Sequence, residues 1–502
     1  MTPVLNRAGL VWVTVIAFSA ALTAAAGADL RLIEAVKARD MTLAQSLLRE
    51  RVDVNTRQGD GATALHWAVY LDDGNAVDVL LKAGARTDVA DDTGATPLFL
   101  ACQNRQASVI EKLLDAHANP NAALVNGETV LMTCARTGEA AGVRALLARG
   151  ANVNTKEPTH GQTALMWAAA QAHPEVTDVL LRAGAEVRAR SRSYVQTVTS
   201  ETTQRAGREE LNYNITRGGS TPLLFAARSG DVESARLLLA AGADVNDRQP
   251  DGASALIVAA HSGHSAVARL LVEKGADPNF ADVGYAPLHA AVLRSDLALV
   301  TALLAHHADP NARITKGTPQ RRNAQDFVLP KTLIGATPYL VAARLLEPGI
   351  MRALAAGGAD TRTPMKDGAT PLMAAAGMGI VQPAEDERRG TDRRGLAIVD
   401  GGTIEPESRV LEAVSAALDL GSDVNAVNPA GDTALHIASA QGLDTVVRLL
   451  AERGADLNIR NSEGQTPLGA LVGRRGPKGL EVPVRSPRPK TVDLLRSLGA
   501  EP

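Results

Sequence analysis

Apolar and polar positions along this chain fall into a short phrase that keeps returning. In "GATALHWAV", from Gly61, a turn glycine is followed by Thr63, a helix N-cap residue, and then by Leu65 and Ala68 on one helical face. "LDDGN" breaks the pattern. A second helix follows in "AVDVLLKAG", with Val77, Leu80 and Leu81 at helical spacing and Gly84 where a left-handed C-terminal cap belongs. "ARTDVADDTG" then runs extended to the next turn. The predicted unit is helix, turn, helix, loop.

The glycines that open the phrase fall at Gly61, Gly94, Gly127, Gly161, Gly219, Gly252, Gly284, Gly335, Gly368, Gly431 and Gly464. Seven of the ten gaps lie within one residue of 33, and the others exceed it by 25, 18 and 30, so segments are inserted into a fixed unit. Small Ala residues let first helices approach closely. Leu pairs in the second helices, such as Leu113–Leu114, Leu180–Leu181, Leu270–Leu271 and Leu449–Leu450, fill the space between units. One unit cannot bury its apolar face, whereas stacked neighbours can. The expected fold is an all-α repeat solenoid of about twelve units with short β-type finger loops. This replaces the two to four globular domains that 502 residues alone would suggest.

Composition adds less. Hydrophobic content of 45% and charged content of 21% fit a folded chain, and only 3% aromatics means a core of Ala, Leu and Val. A formal net charge of −3 gives no electrostatic case for nucleic acid. Arg-over-Lys usage with abundant Ala and Asp points to a GC-rich bacterial source. The N-terminus changes the picture more. Arg7 is the only charge before Asp29, residues 8–28 are uncharged, and Ala26 and Ala28 form an A-x-A exit. Residues 1–28 therefore read as a Sec-type signal peptide cleaved after Ala28, and the expected location is periplasmic or secreted. An uncleaved membrane anchor is the alternative, since the run is just long enough to span. Cys102 and Cys134 are the only cysteines. Packed helices lie about 8–10 Å apart and a disulfide needs Cα atoms within about 7 Å, so two small buried thiols are expected.

The phrases "GATALHWA", "GATPLFLA", "STPLLFAA", "GYAPLHAA" and "GDTALHIA", with "AAGADVN", "EKGADPN" and "ERGADLN", resemble the ankyrin repeat family over nearly all of residues 29–502. The resemblance implies protein–protein recognition by a non-enzymatic scaffold, with a concave groove lined by first-helix ends and loop tips. It also implies that His66, His289 and His436, all in the T-x-L-H slot, are structural, bonding to the turn. The stretches 29–60 and from Gly464 onward read as terminal caps. His117 and His307 replace a helix-ending glycine, which His tolerates at positive φ.

Little in the chain reads as chemistry. "GHSAV" at Gly263–Val267 lacks the context of a nucleophile elbow. His306, His307 and Asp309 lack a third ligand at helical spacing. No catalytic residue, metal ligand or cofactor is expected. The row at the end of the first helices carries Tyr70, Gln103, Arg136, Arg228, His261, Arg294 and Arg344, a mildly basic groove, and the loop tips include Arg57, Asp60, Asp92, Asn126, His160, Asp251 and Tyr285. The expected partner is a protein with an acidic or polar surface, the chain itself being monomeric.

The insertions fall near 188–218, 313–334, 379–407 and 473–490. The third is charged and Gly-rich, and the fourth Pro-rich. In the first, "YVQTVTS" and "LNYNITR" flank a polar stretch and predict a β-hairpin on an enlarged finger, with Tyr194 and Tyr213 as candidate contacts. A free or membrane-anchored protein-binding scaffold is the expected function. A small-molecule or enzymatic site within an insertion is the remaining alternative.

Overall fold

The computed structural model describes residues 29–199, 212–316, 333–377, 407–472 and 488–502. The expected leader at 1–28 and the interiors of the three later insertions lie outside the described residues. The chain divides into two compact units, Met1–Asn152 and Val153–Pro502.

The first unit holds four helix pairs: α1 (Arg31–Lys37) with α2 (Met41–Arg49), α3 (Ala64–Tyr70) with α4 (Gly74–Lys82), α5 (Pro97–Gln103) with α6 (Ala107–Asp115), and α7 (Val130–Thr137) with α8 (Ala140–Ala148). First helices pack on first helices and second on second. The second unit holds eight pairs among the described residues. They run from α9 (Ala164–Ala170) and α10 (Pro174–Arg182) through α11 (Pro222–Ser229), α12 (Val232–Ala240), α13 (Ala255–Ser262), α14 (Ser265–Glu273), α15 (Pro287–Leu293) and α16 (Leu297–Ala305). They continue through α17 (Pro338–Arg344), α18 (Pro348–Ala356), α19 (Pro371–Ala375), α20 (Glu407–Asp419), α21 (Ala434–Gln441) and α22 (Asp444–Glu452) to α23 (Pro467–Val472) and α24 (Pro489–Ser497). The twelve pairs agree with the repeat count.

Each first helix starts where the sequence expects it. Thr96, Thr163, Thr337 and Thr433 have extended backbone at the N-cap, and each hydroxyl accepts the N–H three residues on. Leu65, Ala68, Val77 and Leu80 are fully buried, so the period-3.6 stripe is the core. Gly94 must be glycine: its φ is +87°, and a Cβ there would stand 2.9 Å from the Val125 nitrogen in the next finger. His117 and His307 take φ of 65° and 67°, as their helix-end positions require.

Two ladders join successive fingers. In the first, an asparagine side chain spans to the following repeat. Asn279 Nδ2 donates to the His307 carbonyl at 2.9 Å, and its Oδ1 accepts the Asp309 N–H at 2.7 Å. Asn55, Asn121, Asn154, Asn311 and Asn425 make the same double bridge. In the second, a backbone N–H of one finger donates to a carbonyl of the finger before it: Asp92 to Asp60, Val125 to Thr93, Arg192 to His160, Thr315 to Gly284 and Ser462 to Ala430. A cation reinforces several fingers: Arg57 reaches the Ala90 carbonyl, Lys156 that of Arg190, and Arg190 that of Arg248.

The first insertion forms the expected hairpin. β1 (Tyr194–Thr199) pairs antiparallel with β2 (Asn212–Arg217), Tyr194 opposite Arg217 and Val198 opposite Tyr213.

One expectation is overturned. Cys102 on α5 and Cys134 on α7 form a disulfide, with Cα atoms 4.7 Å apart. The expectation confused axis spacing with the distance between facing residues. Each Cα lies about 2.3 Å off its helix axis, so facing Cα atoms of helices about 8–10 Å apart come within disulfide range. The bond closes a 32-residue separation, and a loop of that length is worth about 3–4 kcal/mol in the chain-entropy account. Reduction, or Cys102→Ala with Cys134→Ala, is expected to lower the first unit's unfolding free energy by about that amount, measured by urea titration with and without reductant.

Candidate functional site

The first-helix ends and fingers are built from the same repeat slots, and the structure gives those slots unequal environments. In the first unit Tyr70 closes α3, is 46% exposed and meets Trp67 edge-on at 5.6 Å between ring centroids. Trp67 is held in turn: its Nε1–H donates to Gln58 Oε1 at 3.1 Å, and the Lys37 ammonium stands 4.6 Å from its ring centroid. Gln103 is exposed at the end of α5. Arg136 is half-buried and paired with Glu128 at 3.3 Å, while Thr133 donates to the same carboxylate at 2.9 Å. The helix row itself carries no acid. Glu128 comes from the finger, so the groove is less basic at this point than the row suggests.

In the second unit Arg228 is exposed, and its carbonyl bonds His264 Nε2 at 3.0 Å. His261 Nδ1 bonds the Tyr285 hydroxyl at 2.8 Å, and Arg294 Nε donates to the His261 carbonyl at 2.8 Å. Tyr285 was expected as an exposed tip. It is 5% exposed and ties its finger to α13, and burial raises its hydroxyl pKa. Arg344 is half-buried, and desolvation draws its guanidinium below its usual value against the opposing effect of Asp367. Tyr194 is 50% exposed at the start of β1. For Tyr213 only the backbone pairing is described. The structure thus brings His261, Arg294 and Tyr285 together, while the other first-helix residues predicted for binding make no such cluster among the described residues. Arg57, predicted as a tip, is a finger clamp.

The T-x-L-H histidines are structural. The Thr63 N–H donates to His66 Nδ1 at 3.1 Å, which leaves the ring proton on Nε2 to donate to the Ala95 carbonyl of the next finger at 3.1 Å. His436 repeats this with Thr433 and the Gln465 carbonyl. His289 takes the Ala286 N–H and is fully buried. Among the described residues no three His, Cys, Asp or Glu side chains are grouped to hold a metal. Asp309 instead caps Asn311 and joins the asparagine ladder. No helix of the described residues is long and apolar enough to cross a membrane.

Stacked helix pairs with cross-bonded fingers and histidine-braced turns define a helical repeat protein. The chain belongs to the ankyrin repeat family: family models described as ankyrin repeats match residues 32–123, 109–191, 223–314 and 417–468, more than half of it. It is 29% identical over 219 residues to the B-cell lymphoma 3 protein homolog of Mus musculus, covering 38% of this chain and 49% of that protein. It is 35% identical over 92 residues to Protein PhlB of Serratia liquefaciens, covering 18% of this chain and 39% of that one. Among solved structures, the human ASB11 ankyrin repeat domain aligns at 26% identity with a TM-score of 0.39, over 49% of this chain and 98% of that one. The chain spans about half or less of the length of these curated relatives. Ankyrin repeats are generally protein–protein interaction modules, and the fold is typically a non-enzymatic scaffold.

Burial pushes the His289 imidazolium down to about 4, and that of His66 down as well, so both rings stay neutral in the fold. The unfolded chain binds the proton near pH 6.5, so stability is whole above that pH and falls as pH drops towards 4. His289 is expected to contribute a loss on the order of 3 kcal/mol across that window. Urea unfolding at pH 7 and pH 4.5 checks this, and His289→Gln should lose less stability over the same interval.

Proposed function

We propose that this chain is an exported scaffold that binds a partner protein without covalent chemistry, across the concave surface made by its first-helix ends and fingers. The observation that carries this reading is the pair of finger-to-finger ladders. They fix the exposed side chains at repeat spacing before a partner arrives, so association orders little that is not already ordered. Tyr70 in the first unit and Arg228 in the second are each exposed on a first helix, and Arg294 is held beside His261. The partner presents an acidic or polar face, which meets the second unit near Arg228 and Arg344. The Cys102–Cys134 disulfide supports maturation in an oxidising compartment, in keeping with the leader read in residues 1–28. The cell envelope is the location this favours.

Crosslinking in the native envelope tests the reading. The wild-type chain is expected to capture one specific protein, and Arg228→Glu with Arg344→Glu to lower its yield at least tenfold while circular dichroism is unchanged. Arg228→Glu alone, at an exposed side chain, keeps the test valid if the double variant folds poorly. Undiminished capture by either folded variant would place the contact elsewhere.

A further inference from the structure

The β1–β2 hairpin leaves the repeat at a defined rung. In the ordinary fingers, the residue two before the turn glycine donates its N–H to the preceding finger: Asp92 before Gly94, Val125 before Gly127, Ser462 before Gly464. Arg192 makes this bond to the His160 carbonyl, and the chain then continues outward as β1 instead of turning. The neighbouring finger turns at Gly161, whose position a Cβ would bring within 2.9 Å of the Arg192 nitrogen. From Tyr194 onward, β1 has therefore run past the finger that pairs its base. The sheet has two strands, and an antiparallel pair directs only alternate N–H and C=O groups inward, so the outer edge of β1 keeps unpaired main-chain groups. On the other flank the following finger places Pro250, which has no N–H, in the rung position beside Gly219.

The side chains at this edge state a chemistry. Ala189 and Ser191 are buried while Arg190 is exposed, and from Arg192 through Thr197 every side chain is exposed, so β1 stands clear of the stack. Arg190 is taken up by Asp247 and the Arg248 and Gly219 carbonyls. Arg248 is likewise paired with Asp282. Arg192 and Arg217, the latter opposite Tyr194, have no carboxylate partner among the described residues, and the Arg217 Nε is buried without a hydrogen bond. Tyr194 and Val195 are 50% and 65% exposed on a two-stranded ribbon, which is marginal alone.

We infer that the outer edge of β1 beyond Arg192 accepts an extended acidic segment of a partner protein as an added strand, with Arg192 and Arg217 meeting its carboxylates and Tyr194 its apolar side chain. Main-chain bonds continue the lateral pairing that the fingers already use, and the two guanidiniums select for acidic sequence. This rests on the protein-binding reading above and names the partner's form at one part of that surface.

The test uses the full chain and a fluorescein-labelled peptide of five Glu-Val repeats, read by fluorescence anisotropy at low salt. Binding is expected, with slowed amide exchange at residues 194–199. A peptide of five Glu-Pro repeats has the same charge but cannot pair as a strand, and it should bind at least tenfold more weakly. Arg192→Ala with Arg217→Ala should weaken the Glu-Val peptide at least tenfold, and Arg192→Lys with Arg217→Lys should recover most of that loss. No binding, equal binding of the two peptides, an unaffected alanine variant, or equal affinity for a ten-nucleotide single-stranded DNA would each overturn the inference. The exchange measurement on the wild-type chain stands if the variants fold poorly. A chain that captures its envelope partner yet ignores the peptide overturns this inference and leaves the scaffold reading intact.

Discussion

One side-chain amide, repeated at Asn55, Asn121, Asn154, Asn279, Asn311 and Asn425, ties each of these fingers to the repeat that follows. That asparagine, near the start of the finger, offers both a donor and an acceptor, and the next repeat supplies the complement: a carbonyl at the end of its second helix and an N–H two residues later. The helix-end carbonyl has no intrahelical partner, so the bridge satisfies a group that would otherwise face solvent. Because the bridge is local in space, the sequence between its ends is free to vary. Asn311 reaches Gly358 and Asp360 with the same geometry that Asn279 uses, although residues 317–332 intervene. The 317–332 insertion therefore enters the chain without breaking the bridge across its borders.

The exceptions follow the same logic. Asp88, Arg188 and Arg362 stand in the asparagine slot; Asp88 pairs with Arg86, while the Nε of Arg188 and of Arg362 donates to the corresponding glycine carbonyl, Gly242 and Gly421. A guanidinium has no acceptor, so the second half of the bridge is lost. Arg188 leads into the finger that carries the hairpin, where Arg190, Ser191 and Gln249 add bonds to the neighbouring segments. Both finger insertions also depart just beyond a backbone rung, at Arg192 and Thr315. The repeat frame is thus secured before the chain leaves it.

Much of this was legible in the sequence. The 33-residue period and the paired strands around 194–217 rest on spacing and β-propensity, and the structural histidines on the family resemblance; all three appear in the structure, whereas threonine capping appears at Thr96, Thr163, Thr337 and Thr433 but not at Thr221. What escaped depends on how neighbouring repeats meet. Glu128 neutralises Arg136 from a finger, Tyr285 turns inward to His261, and Cys102 faces Cys134 across two closely packed helices. For the last two, no window of one repeat contains both partners. Arg136 and Glu128 lie in one unit but on different elements, helix end and finger, which only the fold brings together.

The proposed binding surface would inherit its order from the asparagine bridges, and their contribution can be measured at one residue. Hydrogen exchange on Asn279→Ala compares the Asp309 and Asn311 amides with those inside α15. The account predicts at least tenfold faster exchange at the bridged loop, about 1.4 kcal/mol, with α15 protected as before. Unchanged exchange at Asp309 would mean that helix packing alone holds the fingers, and the bridge would not be the constraint on which the stack depends.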